Sequence, residues 1–321
     1  MLYGFRAGNA NDYALAELAL DCGRLDYIEK HASLYDRNHF DAERIVDGHY
    51  ECTVPGARRC NLTKHWLTGV LLIIAGILRI GVAEAQNPEH EHYVSPWRTP
   101  WTYQGASHWH ELDPAYAACN GKEQAPIDIR ATEKANLPVP RFESKSGPLK
   151  YVVNNRHTIR VNYYPGNGNF LAVGGERYEL TQFHFHRPSE EFISGKPYEM
   201  EVHLMYQAPA RKVAGVTVFV KPGNANPAIQ KVWENMPESE GQQEVSGVEI
   251  NPGELLPQNT AAYYMYMGSV TAPPCTEGVT WFVLKTPVAF SAEQIEAFAK
   301  LYPHDARPIQ PLNGRVVKES Q

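Results

Sequence analysis

Two short stretches of the chain alternate polar and apolar residues, as a β-strand with two different faces does. They read Gln182-Phe183-His184-Phe185-His186 and Glu201-Val202-His203-Leu204-Met205. Side chains on a strand point alternately to opposite faces, with a period of two. If the two strands are neighbours, His184, His186 and His203 converge on one face, and the apolar residues between them enter the core behind it.

This convergence of histidines predicts a metal site. Three neutral imidazole nitrogens bind zinc at ~2.0–2.1 Å and leave its fourth tetrahedral position open for water. A metal-binding imidazole usually donates its other N–H to a carboxylate or a carbonyl, which fixes the orientation of the ring. Gln182 and Glu201 each stand two residues before a histidine on the same face. We therefore predict that they orient His184 and His203.

Short runs of β-branched and aromatic residues recur between clusters of Pro, Gly and Asn, a pattern typical of a strand-dominated fold. These runs are Leu149–Val153, Thr158–Tyr163, Arg177–Phe185, Met200–Tyr206, Val213–Val220 and Val279–Leu284. From Trp97 onward no linker or repeat interrupts the chain, which predicts one domain over residues 97–318.

Two packing helices are predicted on the outside of the sheet. Asn226 caps the first, Pro227 takes its first position, and its buried stripe consists of Ile229, Val232, Trp233 and Met236. Ser291 and Gln294 form a capping box for the second helix, with Ile295, Phe298 and Tyr302 facing inward.

The segment 58–85 has the features of a secretory signal peptide. Basic residues precede a run of 13 mostly apolar residues, Trp66–Leu78, and Ala83-Glu84-Ala85 follows it. A membrane-spanning helix needs ~20 apolar residues, so this run is short for one. We predict cleavage before Gln86 and a flexible lead-in over residues 86–96. A buried core helix and an uncleaved membrane anchor remain the alternatives.

Residues 1–57 do not resemble the basic start of a signal peptide, because they contain ten acidic and five basic residues. Our hypothesis is that translation starts later than Met1, at a non-Met codon upstream of Arg58, so that this extension is absent from the native product or is disordered. N-terminal sequencing of the natural protein tests this hypothesis. A mature protein that begins near Met1 would contradict it.

Net charge and cysteine content restrict the function classes further. The formal net charge of -6 argues against nucleic acid as a partner. The five cysteines contain no CxxC pair and no zinc-finger spacing. Cys22, Cys52 and Cys60 are interpreted as unpaired buried thiols.

Several ordered motifs resemble the alpha-class carbonic anhydrases, especially their secreted bacterial members. The similarity runs from about Trp97 to Val317. It rests on Trp101-Thr-Tyr103, Gln124-Ala-Pro-Ile-Asp-Ile129, Asn154-Asn-Arg-His157, Gln182-Phe-His-Phe-His-Arg-Pro-Ser-Glu190, Glu201-Val-His203-Leu, Gly268-Ser-Val-Thr-Ala-Pro-Pro-Cys-Thr-Glu-Gly-Val-Thr-Trp281 and Arg307-Pro-Ile-Gln-Pro-Leu312. The resemblance implies a β-dominated α+β fold. Its core would be a large, mixed, mostly antiparallel twisted sheet with short peripheral helices and Zn²⁺ at the base of a conical cleft.

The reaction implied by the resemblance is the reversible hydration of carbon dioxide to bicarbonate and a proton, by attack of zinc-bound hydroxide. Thr271 matches the hydroxyl that accepts a hydrogen bond from this hydroxide, and Glu190 matches the carboxylate that takes the threonine proton. His157 matches the proton shuttle, a role for which an imidazole of pKa ≈ 6.5 is well suited near pH 7.

The resemblance also assigns supporting roles. Met205, Val270 and Trp281 match apolar residues of the substrate pocket, and Asn155 and Tyr103 match residues near the water network. Cys119 and Cys275 match the disulfide of secreted relatives, which agrees with a periplasmic or secreted location. His90, His92, His108, His110 and His304 are interpreted as surface or structural residues. No stable membrane span is expected after signal cleavage, and a homodimer is possible.

Four residues depart from the family pattern: Ala125, Arg160, Glu191 and Ala272. None removes a zinc ligand, but Arg160 adds charge near the cavity and Glu191 adds charge beside Glu190. The alternative function is a catalytically weak relative that acts as a binding protein. A zinc peptidase is not supported, because the chain has no HExxH helix.

Overall fold

A computed structural model of the protein describes residues 99–321 and two short strands near the N-terminus, β1 (Ile45–Val46) and β2 (His49–Tyr50). These two strands pair antiparallel and belong to a unit, residues 1–87, separate from residues 88–321. Apart from these strands, the extension 1–57, the signal peptide 58–85 and the lead-in 86–96 lie outside the described residues and stay predictions. The same holds for Trp97, Cys22, Cys52, Cys60, His90 and His92.

Strands dominate the described part of the larger unit. They are β3 (Asp128–Ile129), β4 (Glu133–Ala135), β5 (Arg141–Glu143), β6 (Gly147–Pro148), β7 (Tyr151–Asn154), β8 (Ile159–Asn162), β9 (Phe170–Val173), β10 (Glu176–His186), β11 (Phe192–Ile193), β12 (Met200–Gln207), β13 (Val213–Pro222), β14 (Gly241–Glu244), β15 (Glu249–Ile250), β16 (Tyr263–Ser269), β17 (Glu277–Phe290) and β18 (Lys318–Ser320).

Twelve of these strands form one sheet, with the spatial order β14-β7-β8-β10-β12-β13-β17-β16-β18-β4 and with β9 and β5 continuing from β10. The pairs β13–β17 and β18–β4 are parallel, and the other pairs in this sheet are antiparallel. The predicted fold class, a large mixed and mostly antiparallel twisted sheet, is therefore confirmed. The strands β10 and β12 lie near its middle.

All six predicted strands are present, but the last is longer than predicted. The predicted run ended at Leu284, three residues before Pro287, which cannot donate a ladder hydrogen bond. The strand continues to Phe290, since the pairing with β13 shifts register after Leu284 and resumes at Val288. This irregularity spans Pro287 without breaking the sheet.

Helices are short and lie outside the sheet order. They are α1 (Trp109–Leu112), α2 (Pro227–Trp233), α3 (Ala292–Leu301) and the 3-10 helices Tyr103–His108, Pro114–Asn120 and Pro252–Leu255. Asn226 caps α2 and the Ser291–Gln294 capping box begins α3, as predicted. The prediction that Met236 continues the α2 stripe is wrong, because α2 ends at Trp233. Met236 directly precedes Pro237, a position that disfavours helical backbone.

The main core lies on the face of the sheet opposite the histidines. Phe183, Phe185, Val202 and Leu204 are fully buried there, as the alternation predicts. A smaller apolar cluster, which includes Met205 and Trp281, lies on the histidine side. Among the described residues, no helix is long and apolar enough to cross a membrane.

Candidate metal centre and its cavity

The three predicted histidine ligands meet on one face of β10 and β12. His184 lies directly across from His203 in the antiparallel register. The ring centroids are 4.9 Å apart for His184 and His186, 5.2 Å for His184 and His203, and 4.9 Å for His186 and His203. One ligand atom from each ring lies within 4.8 Å of the other two. The period-two prediction therefore places all three side chains correctly.

Each ring is held through one nitrogen. His184 Nδ1 donates to Gln182 Oε1 (2.8 Å), and His203 Nε2 donates to Glu201 Oε1 (2.9 Å), as predicted. His186 Nδ1 donates to the backbone oxygen of Asp305 (2.7 Å). Because these acceptors fix the tautomers, the lone pairs remain on His184 Nε2, His186 Nε2 and His203 Nδ1.

The remaining nitrogens fit a metal ion. His186 Nε2 and His203 Nδ1 are buried and have no hydrogen-bond partner. A buried polar atom without a partner is costly, and coordination of a cation would satisfy both of these atoms. Three imidazole nitrogens that open onto a cavity are a donor set that suits zinc with one open position.

Electrostatics favour neutral imidazoles at two of the three positions. Burial, reinforced by neighbouring histidines, lowers the pKa of His184 and of His186 well below the ordinary value. Burial acts in the same direction on His203, but Glu201 and Glu191 together raise its pKa. A metal ligand must be deprotonated at the binding atom, so metal binding to this site releases a proton.

A second group of possible ligands consists of Glu190, Glu201 and His203. The histidine group is the better metal site, because Glu190 and Glu201 are fully buried and do not line the cavity, so substrate would not reach a metal held there.

Glu190 and Thr271 lie beside the histidines, as the resemblance implies. Glu190 Oε2 is 3.4 Å from His186 Nε2. Burial raises the pKa of Glu190 to about 7, and His203 and the hydrogen bonds from Thr271 and from the Arg307 N–H oppose this rise. A threonine hydroxyl that directs its proton at this carboxylate would keep its lone pairs for another donor.

The cavity above the histidines has a volume of about 250 Å³ and two chemically different walls. Met205, Val270 and Trp281 lie on the apolar wall, as predicted. Trp281 is fixed by a hydrogen bond from its Nε1 to Ser269 O (2.9 Å) and lies 4.6 Å from the His203 ring, centroid to centroid. The polar wall is formed by Asn155, His157, Thr158, Arg160 and Gln182.

His157 lies at the aromatic edge of the cavity. Its ring stacks on Trp101, with centroids 3.6 Å apart and planes 6° from parallel. Tyr103 stands between this edge and the metal site, with its ring centroid 6.4 Å from His157 and 6.3 Å from His186. Asn155 Oδ1 accepts the backbone N–H groups of His157 (3.0 Å) and Thr158 (2.8 Å), so Asn155 fixes the turn that carries His157.

We expect Arg156→Gly to change both the titration of His157 and the stability of the protein. Burial and then the charge of Arg156 lower the pKa of His157 from its ordinary value of 6.5 to about 4. Removing the charge should raise this pKa, so the imidazole would gain its proton at a higher pH. Arg156 also has φ 70°, a left-handed backbone conformation that costs Gly about 1 kcal/mol less than other residues.

Arg156→Ala is the matched control, because it removes the charge but keeps a Cβ in the strained conformation. NMR titration of His157 should show a higher pKa in both variants, whereas urea unfolding should show stabilisation of the Gly variant relative to the Ala variant. An unchanged His157 pKa in both variants would contradict the electrostatic part of this prediction.

The predicted disulfide is present between Cys119 and Cys275, which are 156 residues apart in sequence. Cys275 ends the turn after Thr271, and its N–H donates to Ala272 O (2.8 Å). The buried Arg307 guanidinium donates to Cys119 O (3.2 Å) and to Ala125 O (2.7 Å). The disulfide thus connects the segment that carries Trp101 and Tyr103 to the loop that carries Thr271.

The departures from the family pattern lie where the sequence suggests. Arg160 lines the cavity directly across from His184 in the β8–β10 register, and Ala272 lines it next to Thr271. Glu191 is fully buried against His203. Ala125 is fully buried, and its N–H donates to Ser269 Oγ (3.0 Å). His108, His110 and His304 lie outside the site; His108 and His110 contact only Glu111 among acidic groups.

Sequence reasoning missed two contacts that shape the site. The Asp305 backbone oxygen holds His186, although it lies 119 residues away. A backbone acceptor has no side-chain signature, so only the fold reveals it. The contact of Glu191 with His203 was also missed, although Glu191 departs from the family pattern.

Comparison with known proteins agrees with this geometry. The sequence model of the family described as eukaryotic-type carbonic anhydrase matches residues 104–321. A carbonic anhydrase of Pectobacterium carotovorum is 39% identical over 222 residues, 68% of this chain and 89% of that protein. One from a Nostoc species is 36% identical over 225 residues, 67% of this chain and 83% of that protein.

A solved structure gives the same result. The alpha-carbonic anhydrase of Thermovibrio ammonificans, in complex with the inhibitor sulfanilamide, is 42% identical and has a TM-score of 0.64. The similarity covers 68% of this chain and 99% of that one. The chain therefore belongs to the eukaryotic-type, or alpha-class, family of carbonic anhydrase enzymes.

Proposed function

We propose that this protein catalyses the reversible hydration of carbon dioxide to bicarbonate and a proton, with zinc held by His184 Nε2, His186 Nε2 and His203 Nδ1. The observation that carries the proposal is the arrangement of the three histidine rings. Each ring has one nitrogen fixed by a protein acceptor, and the other nitrogens converge. Zinc with an open position supplies the Lewis acidity that makes water a nucleophile near neutral pH.

Carbon dioxide is small, apolar and electrophilic, so it needs a dry surface beside the nucleophile. Met205, Val270 and Trp281 supply that surface on one wall of the cavity. Thr271 would orient the attacking water-derived nucleophile by accepting its hydrogen bond, with the threonine proton directed at Glu190, whose pKa the Thr271 hydroxyl lowers. This orientation contributes to rate by alignment of the reacting atoms.

The proton released in each turnover must reach solvent. His157 lies at the cavity edge. By rotation about its side-chain bonds, its imidazole would accept the proton on the cavity side and release it on the solvent side. Asn155 fixes the backbone of His157, and Tyr103, whose ring lies 6.4 Å from that of His157 and 6.3 Å from that of His186, would help to order water between them. Rotation of an imidazole is fast compared with domain motions.

We further propose that the protein works in an oxidising compartment, in the periplasm or outside the cell. The Cys119–Cys275 disulfide supports this location, since such bonds persist mainly in oxidising environments. The signal-like segment 58–85 and the similarity to bacterial relatives point in the same direction. The homodimer stays a prediction.

A hydration assay on the purified protein tests the proposed function. The zinc-loaded protein should hydrate carbon dioxide rapidly, and removal of the metal with a chelator should abolish the activity reversibly. His203→Ala is the matched control, because it removes one ligand from a buried strand position. Its zinc content and its activity should both fall to near background.

The alternative, a carbonic anhydrase relative that only binds, makes a different prediction. A folded sample that contains one zinc per chain but hydrates carbon dioxide no faster than buffer would contradict the proposed enzyme and support a binding protein. The complete histidine set argues against this alternative, because a protein that only binds has no need for an open metal site.

We expect Arg160→Asn to weaken the inhibition by monovalent anions such as thiocyanate. Among the described residues that line the cavity, Arg160 is the only one with a permanent charge. A cation near the metal site attracts anions by about 1 kcal/mol or more, so the inhibition constant should rise by about five- to tenfold. Inhibition measured at constant ionic strength checks this, because salt screens the attraction.

The control for this prediction is Arg160→Lys, which keeps the positive charge and should retain most of the anion affinity. Inhibition constants that are equal in the wild-type protein and in the Asn variant would contradict a role for this charge.

A further inference from the structure

Glu191 is a buried carboxylate that the proposed mechanism does not use. It follows Glu190 in the loop after β10 and is fully buried. Its Oε2 lies 3.3 Å from His203 Nε2, the same ring nitrogen that donates to Glu201 Oε1 at 2.9 Å. One ring N–H of a candidate metal ligand therefore faces two carboxylates.

Glu191 is fixed in this position by hydroxyls from two strands. Tyr266 on β16 donates to Glu191 Oε1 (2.8 Å), and Thr217 on β13 donates to Glu191 Oε2 (3.3 Å). Thr217 stands directly across from His203 in the β12–β13 register. Because all of these groups are buried, Glu191 has no room to turn to solvent.

The burial of the Glu191 carboxylate has an energetic cost that other interactions must offset. A buried carboxylate is expensive unless hydrogen bonds and a positive partner stabilise it. Among the described residues, Glu191 contacts two neutral hydroxyls, the His203 ring and the neighbouring carboxyl of Glu201, so the positive charge that would balance these carboxylates is that of the metal site. Residues that hold a metal-bound histidine typically contribute 10–100-fold to metal affinity.

We infer that Glu191 is a second positioning residue for His203, which acts together with Glu201 to hold the ring and to increase the affinity of the histidine site for zinc. This inference rests on the proposed function, because it assumes that the three histidines bind zinc. The longer contact of Glu191 predicts a smaller contribution than that of Glu201, whose oxygen also accepts the Glu190 N–H (2.8 Å).

The test is the zinc affinity of the full chain, measured by competition with a chromophoric chelator. Glu191→Met keeps the side-chain length but removes the acceptor, and we expect it to weaken zinc binding by about tenfold or more. Glu191→Gln keeps an acceptor oxygen and should recover a large part of this loss. The cobalt-substituted Met variant should also show a shifted pH midpoint in its visible spectrum.

Two further variants separate positioning from general destabilisation. Tyr266→Phe leaves Glu191 in place but removes its shortest hydrogen bond, and should weaken zinc binding less than Glu191→Met does. Val218→Ala is the matched control, since Val218 is fully buried in the core on the other face of the sheet. It should lower thermal stability and leave zinc affinity unchanged.

Two results would overturn the inference. In the first, Glu191→Met binds zinc as tightly as the wild-type protein and gives the same cobalt spectrum. In the second, Val218→Ala loses as much zinc affinity as Glu191→Met at equal thermal stability. If the wild-type chain itself does not bind zinc, the proposed function fails and this inference fails with it. If the wild-type chain binds zinc and only the variants give the overturning results, the inference fails alone, so the two failures are distinguishable.

Discussion

Replacing Cys119 and Cys275 with serine is expected to lower the free energy of unfolding by up to about 5 kcal/mol. The disulfide joins residues 156 apart in sequence, so it removes much of the freedom of the unfolded chain. Domains are stable by only ~5–15 kcal/mol, and a loss of this size is a large fraction of that. Urea unfolding of the wild-type protein and of the double variant measures the difference.

Reduction of the wild-type protein provides the control for this experiment, because it breaks the same bond without changing the sequence. The reduced protein and the double serine variant should have similar unfolding midpoints, well below that of the oxidised protein. We also expect lower hydration activity, since Cys275 closes the turn after Thr271. A loss of less than about 1 kcal/mol would contradict the loop-closure argument.

Thr271→Val is expected to lower kcat/KM for carbon dioxide hydration by about 10²–10³-fold, the range found when one orienting hydrogen bond is removed from an active site. Valine has the shape of threonine but neither accepts nor donates, so the nucleophile would lose its orientation and Glu190 would lose the threonine hydroxyl while it keeps the Arg307 N–H. Zinc content should stay at one per chain, because Thr271 is not a metal ligand. Stopped-flow hydration kinetics measure the effect.

Thr280→Val is the matched control for this substitution. Thr280 lies on β17, away from the cavity lining, and its hydroxyl contacts the sulfur of Met267 (3.5 Å). The control should keep wild-type activity. If Thr271→Val retained activity within threefold of this control, the orienting role would be wrong.

A double-mutant cycle sharpens the assignment of Thr271 and Glu190 to one unit. Glu190→Gln replaces the carboxylate by an amide, which can turn a donor toward the threonine hydroxyl and reverse its direction. If the two residues act together, the double variant should be little worse than either single variant. Losses that multiply would indicate independent roles.

The histidine strands show what alternation alone can predict. The period of two fixed which residues share a face, and the observed register sets His184 against His203 as that pattern requires. If both strands shifted their register by one residue, all three rings would turn into the core, so the fold strongly specifies this register. The convergence of the three histidines was therefore predictable from ten residues.

Other features could not be predicted from local pattern. The parallel pairing of β13 with β17 depends on contacts far apart in the chain, and short strands such as β3 and β11 carry too few residues to show a period. The roles of His157 and Thr271 came from the resemblance, because an isolated histidine or threonine has no chemical signature of its own.

The hydrogen bond from His186 to the Asp305 oxygen, and the one from the Arg307 N–H to Glu190, have a consequence for the order of events in biogenesis. Asp305 and Arg307 lie more than 100 residues after the groups they contact, so a polypeptide that is made or exported only as far as the histidine strands lacks these two supports. Tight zinc loading would then be a late step, after the C-terminal segment has docked, in the compartment where the chain finishes folding.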